Sequence, residues 1–333
     1  MSRPKVAVVG GIGYIGSALM NHLNCDFDVR IIDKRPLPDM ILPKNVEYKS
    51  CDIVEYAQLQ DAIRGAEVVI HTAIVQIPLI NDQKKLGYAV NIVGTQNLCK
   101  AVSETDSVKG MVLIGSWHVF GERGLEGTID EGFGFRPDAV PERAHLYALS
   151  KIGQETVTRM YSEMSEKAYA IVRVGTVLGE GMPAKTAANI FIDKGLQGQS
   201  ITPYSQDMHR PMLYVDIEDV CEMCRLYASR ILNGNASDLP RVVNLFWPKP
   251  ITILELAEGI RDTIVRLSHG ATKPRVEVID RGVSSAFTNK SGERIVVNIE
   301  RALALVGSGK LTDPWKSIER IVQSRMKEAA KGS

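Results

Sequence analysis

The chain has 333 residues, 44% hydrophobic and 24% charged, the balance of an ordinary globular protein with no collagen-like or disordered character. Forty basic residues against thirty-nine acidic ones leave a net charge of +1, which argues against a nucleic-acid or membrane-surface partner. No apolar run reaches the roughly 18 residues that span a bilayer, and MSRPKVAVVGGIGYIG leads into a strand-like segment without a cleavage pattern, so a cytoplasmic location is expected.

Taken in chain order, KVAVVG, DVRIID, EVVIHTA and GMVLIGS read as short apolar strands. Between them YIGSALMNHLN, QLQDAIRGA and a run from Asn91 to Glu104 read as helices. This alternation predicts an α/β fold, a doubly wound parallel sheet of Rossmann type. A helix around Ser150 to Met164, the buried strand YAIVRVGTVLG, an extended piece from Arg210 to Val215, a helix from Asp219 to Ile231 and a strand VVNLF complete the pattern. It gives way between Gly179 and Tyr204, and again from about Trp247. A Rossmann domain is therefore expected over 1–178 and 205–246, with a smaller, discontinuous C-terminal substrate lobe over 179–204 and 247–333.

The five cysteines, an odd number scattered along the chain, fit a reducing compartment rather than a disulfide framework. Cys221 and Cys224 form a C-x-x-C within a helical stretch and lack a second pair or nearby histidines, so no metal is expected.

The glycines of VVGGIGYIG follow the first strand and open a helix, where a tight turn lets a pyrophosphate rest on the helix N-terminus. Gly10, Gly13, Tyr14, Ile15 and Gly16 are the expected cradle. Asp33, at the end of the second strand, can accept hydrogen bonds from the adenosine ribose and would repel a 2′-phosphate, which favours NAD over NADP. Lys34 and Arg35 leave the phosphate-bearing cofactor open. Asp52 and Ile53 could flank the adenine. Tyr147 and Lys151 stand four residues apart on one helix face, so the ammonium could lower the phenol pKa and let Tyr147 act as acid or base.

Read in order, the glycine turn, Asp33, Asp52-Ile53, Ser116 ahead of Val119-Phe120-Gly121, and Tyr147-x-x-x-Lys151 resemble the extended short-chain dehydrogenase/reductase family. RPMLYVDIEDV at 210–220 and VVNLFWPKPITILELAEGI at 242–260 resemble its later blocks, so the likeness covers nearly the whole chain. It implies that Ser116 hydrogen-bonds the reacting oxygen, that Tyr147 exchanges its proton, and that Lys151 binds the nicotinamide ribose. His71, Thr72 and Ala73 would lie against the cofactor, with Asn91 in a supporting helix. Arg210 falls at the family's phosphate-binding arginine and Asn189 near its substrate-binding asparagine. Thr176 stands where many epimerases carry asparagine.

Trp117 and His118 replace the Asp-Glu of members that dehydrate nucleotide sugars, which disfavours that chemistry; His118 is a candidate substrate contact. Two activities stay open: epimerisation of a nucleotide sugar by transient oxidation, and net NAD(P)-dependent oxidation or reduction of a sugar, sugar acid or other small alcohol; a binding or regulatory protein that keeps the fold without turnover is disfavoured because Ser116, Tyr147 and Lys151 are all present. Helical runs at Asp82 to Glu104 and Leu146 to Met164 match the family's dimer contact, so a homodimer is expected.

Overall fold

The computed structural model describes residues 3–234, 238–307 and 310–332; the outermost ends of the expected lobes, residues 1–2 and 333, lie outside them. Seven parallel strands form the central sheet in the order Val242–Leu245, Ala168–Val174, Gly110–Ser116, Val68–His71, Lys5–Val9, Asp28–Asp33, Val46–Ser50. Such strands are covered on both faces, and Val6, Val8, Ile31, Ile70, Val112 and Val172 are fully buried. Each contributes about 1.5–3 kcal/mol by leaving water. The doubly wound expectation holds.

Chain order reverses between Lys5–Val9 and Val68–His71, which pair directly. This is the switch point where a crevice opens beyond the carboxyl ends of the strands. Val9 leads into the glycine turn on one side, and His71 leads into Thr72 on the other, whose N–H donates to Val9 O at 2.8 Å.

The helix bearing Tyr147 is longer than its sequence core, running Glu142–Met164 from Pro141. A buried ion pair pins it to the sheet: Arg173, on Ala168–Val174, donates to the two Glu155 oxygens at 2.7 and 3.0 Å. The run from Asp82 to Glu104 is not one helix. It breaks at Gln83, continues as Lys84–Tyr88, and passes through a π-turn at Ala89–Val93 into Gly94–Glu104.

YAIVRVGTVLG is likewise divided at Gly175, since Thr176–Leu178 leaves the main sheet to pair with Tyr214–Asp216. Beyond Trp247, where alternation fades, three helices, Ile253–Leu267, Glu300–Val306 and Pro314–Gly332, are separated by irregular stretches. Its local signal was the capping box Thr252-x-x-Glu255, whose reciprocal bonds open the first of these helices.

Candidate active site

Gly10 has φ +86°, and a Cβ there would stand 2.5 Å from Ala73 N. A Cβ at Gly16 would stand 2.4 Å from Gly10 O, so helix and turn close on each other only without side chains. The helix Tyr14–Leu23 that follows has no side-chain cap and no acidic residue in its first turn. Its free N–H groups and positive end suit a diphosphate. The Tyr14 ring packs inward against Gly179 and Gly181, and Ile15 packs on the main apolar cluster.

At the end of the second strand Asp33 is almost fully buried, accepting from Ile12 N at 3.1 Å and bidentately from Arg35 at 2.7 and 3.0 Å. These donors hold its carboxyl below the ordinary value against the opposing effect of burial. Arg35 therefore clasps Asp33 rather than standing free, and Lys34 is paired with Asp52 at 3.4 Å. Ile53 is buried against Gly94. Turn, acidic strand end and switch-point crevice thus fit a dinucleotide.

Other expected cofactor residues lie behind this surface. His71 is buried, with Nε2 2.8 Å from Thr95 Oγ1, and burial pushes it down to about 3, so it is neutral at ordinary pH. Thr72 Oγ1 donates to Val9 O at 2.9 Å. Asn91 brackets Val75, accepting from its N–H at 2.7 Å and donating to its carbonyl at 3.1 Å. It also donates to Ser150 Oγ at 3.0 Å, and Ser150 donates to Tyr147 O at 2.8 Å. The loop after His71 and the helix carrying Tyr147 share one buried network.

Ser116 ends the fifth sheet strand, with its hydroxyl near enough to that of Tyr147 to favour the phenolate. Lys151 is buried and donates to Ile114 O at 2.8 Å, with Nζ 6.0 Å from the centre of the Tyr147 ring. Sequence spacing alone suggests that Lys151 lowers the phenol. In the structure burial dominates, pushing Tyr147 up to about 12 and Lys151 down to about 7, while the Ser116 hydroxyl opposes the rise at Tyr147.

His118 lies edge-on to Tyr147, ring centres 5.4 Å apart, with Nδ1 3.2 Å from Ser116 Oγ. Its Nε2 is 3.4 Å from Glu122 Oε1. Glu122 is fully buried and also meets Arg143 at 3.1 Å and Arg210 at 3.6 Å. Neither Glu122 nor Arg143 is evident from motif reading, although each carried a signal: Glu122 is four residues after His118, and Arg143 four before Tyr147 on one helix.

Arg210 is buried, and its Nε and Nη1 find no hydrogen-bond acceptor among the described residues. Asn189 lies elsewhere in its bonding: it donates to Asp193 at 3.5 Å and its carbonyl oxygen accepts from Arg325 of the last helix. Thr176 Oγ1 accepts from Trp117 Nε1 at 3.3 Å. Cys221 and Cys224 are buried in the helix Ile217–Leu232 as free thiols, and among the described residues no group of three or more His, Cys, Asp or Glu could hold a metal ion. No helix among them is long and apolar enough to cross a membrane.

The family model described as "NAD dependent epimerase/dehydratase family" matches residues 6–245. A Methanocaldococcus jannaschii protein, provisionally named a UDP-glucose 4-epimerase, is 29% identical over 255 residues, which are 72% of this chain and 80% of that one. The NAD-dependent glucose-6-phosphate dehydrogenase of Haloferax volcanii is 27% identical over 186 residues, 53% of this chain and 70% of its own. The UDP-N-acetylglucosamine 4-epimerase of Methanobrevibacter ruminantium M1, solved with UDP-N-acetylmuramic acid, shares the fold at TM-score 0.76 and 21% identity, covering 98% of this chain and all (100%) of its own.

Proposed function

The chain belongs to the NAD-dependent epimerase/dehydratase family and is an NAD-dependent enzyme of the short-chain dehydrogenase/reductase type; on that premise we propose that it epimerises a nucleotide sugar by transient oxidation of a sugar hydroxyl. The observation that carries this reading is the buried Arg210 guanidinium, whose Nε and Nη1 make no hydrogen bond among the described residues, Nη1 reaching Glu122 and Asp207 only at 3.6 and 3.5 Å. Buried N–H donors left without hydrogen bonds are costly, and a diphosphate beside the sugar would supply acceptors that the two more distant carboxylates do not.

NAD, when bound, supplies the hydride acceptor. Gly10, Gly13, Tyr14, Ile15 and Gly16 would hold its diphosphate, Asp33 its adenosine ribose, and Lys151 its second ribose, with Asp52, Ile53, Thr72 and Ala73 flanking it. His71 and Asn91 would support that surface from behind. Ser116 orients the reacting hydroxyl, and Tyr147 takes and returns its proton. Segments 179–204 and 247–333 would close over the substrate as a smaller lobe, with Thr176 at its edge.

Free, mostly buried cysteines support a cytoplasmic setting. Exposed Tyr88, Leu149, Met160 and Met164 on the helices flanking the π-turn and on the helix of Tyr147 support a homodimer.

The test is to purify the protein, release and identify bound nucleotide, and incubate it with UDP-sugars without added cofactor. Interconversion with NAD retained supports the proposal. Stoichiometric NADH formation would sink it in favour of a net dehydrogenase of a sugar or sugar phosphate. One observation favours that second reading: Asn189 is committed to Arg325 and Asp193, leaving fewer side chains for a nucleotide.

A further inference from the structure

We propose that Arg35 is a cofactor-specificity residue: in the free protein its guanidinium fills the positions on Asp33 that the two hydroxyls of the adenosine ribose take when NAD binds, and a vicinal diol is what releases it. This role rests on the assignment of Asp33 to that ribose above, and not on the sugar chemistry.

Asp33 has no acceptor position to spare. A carboxylate offers about four lone-pair positions, two on each oxygen. All are met: Oδ1 accepts from Arg35 N and Arg35 Nε, both at 3.0 Å, and Oδ2 accepts from Ile12 N at 3.1 Å and Arg35 Nη2 at 2.7 Å. Ribose hydroxyls find an acceptor on Asp33 only after a donor leaves.

Which donors leave follows from where each is attached. Ile12 N and Arg35 N are backbone groups, one on each oxygen. The first lies in the glycine turn, and the second is anchored by Tyr48, whose hydroxyl donates to Arg35 O at 2.6 Å. The other two donors belong to the guanidinium, again one on each oxygen, at the end of a side chain that is 54% exposed. Rotation of that side chain alone clears both positions, and an ion pair so open to water is weakly held.

The fit between the two occupants is chemical. A guanidinium and a vicinal diol each present two adjacent donors to the two oxygens of one carboxylate. The guanidinium also lies on the cofactor side, since a Cβ at Gly13 of the glycine turn would stand 3.7 Å from Arg35 Nη2. Lys34 is turned to Asp52 at 3.4 Å and leaves the place to Arg35.

The exchange sets the choice between dinucleotides. NAD returns two donors for the two displaced, so Asp33 stays satisfied. NADP carries a phosphate on the 2′-oxygen, an acceptor where a donor is needed, and sets a second anion beside Asp33. The released guanidinium offsets part of that repulsion by pairing with the phosphate. Arg35 thus weakens NAD and strengthens NADP, narrowing the preference that Asp33 creates.

The first test uses the full chain, freed of nucleotide and labelled with nitrogen-15 in arginine. The Arg35 Nε–H signal is the one lost in Arg35→Met. Saturating ADP, which carries the diol, should shift it and speed its exchange with water, whereas saturating 2′,3′-dideoxy-ADP should leave it as in the free protein. A signal that ADP does not move, or that both nucleotides move alike, overturns the proposal.

Calorimetric titration with NAD and NADP gives a second readout. Arg35→Met should bind NAD about fivefold more tightly, because no ion pair must first be broken, and NADP more weakly than the parent chain does. Arg35→Lys keeps the charge but cannot bridge both oxygens, so it should gain affinity for NAD and retain it for NADP. Equal or weaker NAD binding by folded Arg35→Met overturns the role. Undiminished NAD binding by Asp33→Ser would instead strike the ribose assignment itself. Neither titration uses a sugar, so failure of the epimerase assay is visible separately.

Discussion

Lys151 Nζ donates to the carbonyl of Ile114 at 2.8 Å, tying the helix that carries Tyr147 to the strand that ends in Ser116. The bond fixes the spacing of the two residues proposed to act on the reacting hydroxyl. It also places an ammonium where water is excluded, which is the reason Lys151 is pushed down to about 7.

That cost is a stability prediction. The unfolded chain holds the lysine proton up to the ordinary 10.5 and the folded chain only to about 7, so the unfolded state binds more protons between those values and stability rises with pH across them. Lys151→Met should stabilise the cofactor-free protein by about 2 kcal/mol at pH 6.5, a gain that shrinks as pH approaches 10.5. Thermal unfolding at pH 6.5 and 9.5 measures it; an equal gain at both would contradict the burial account.

Tyr147→Phe removes the hydroxyl proposed to exchange a proton with the substrate while keeping the ring that packs beside His118. Turnover should fall by about 10³-fold with NAD still bound. Nucleotide released on denaturation and the rate of sugar interconversion give the two readings. A near-normal rate would take Tyr147 out of the mechanism.

Gly10→Ala places a methyl 2.5 Å from Ala73 N at a backbone φ of +86°. The strain should cost about 2–3 kcal/mol and abolish stoichiometric NAD binding, because the turn must open to relieve it. Chemical denaturation and bound-nucleotide content test both parts.

Arg210→Met should weaken UDP binding about 30-fold while leaving NAD content unchanged, since the charged partners of Arg210 are Glu122 and Asp207 and neither is an expected cofactor residue. Calorimetric titration with UDP decides. Equal affinity in the variant would remove Arg210 from substrate recognition.

The clasp of Arg35 on Asp33 bears on cofactor choice. Asp33→Ser should weaken NAD about tenfold and narrow its preference over NADP, because Arg35 is freed for a 2′-phosphate. Titration with the two dinucleotides compares them, and an unchanged preference would assign selectivity elsewhere.

The amino-acid sequence by itself determined the alternation of strands and helices, the glycine turn at Gly10–Gly16, the acidic end of the second strand at Asp33, and the Tyr147/Lys151 spacing. These are local: periodicity, turn chemistry and residues one helical turn apart follow from neighbours along the chain. The helices after Trp247 were not read from the sequence, because glycines and prolines between them interrupt the pattern, although the capping box at Thr252 and Glu255 marks the start of one.

The tertiary structure decided the rest. Glu122 meets Arg143 and Arg210 from separate segments, Arg35 turns back on Asp33, and Arg325 of the last helix reaches Asn189, 136 residues earlier in the chain. Spacing suggested that Lys151 would lower Tyr147; packing instead withdrew both from water and raised the phenol. Desolvation depends on which surfaces close over a group, a property of the assembled fold that no stretch of sequence carries alone.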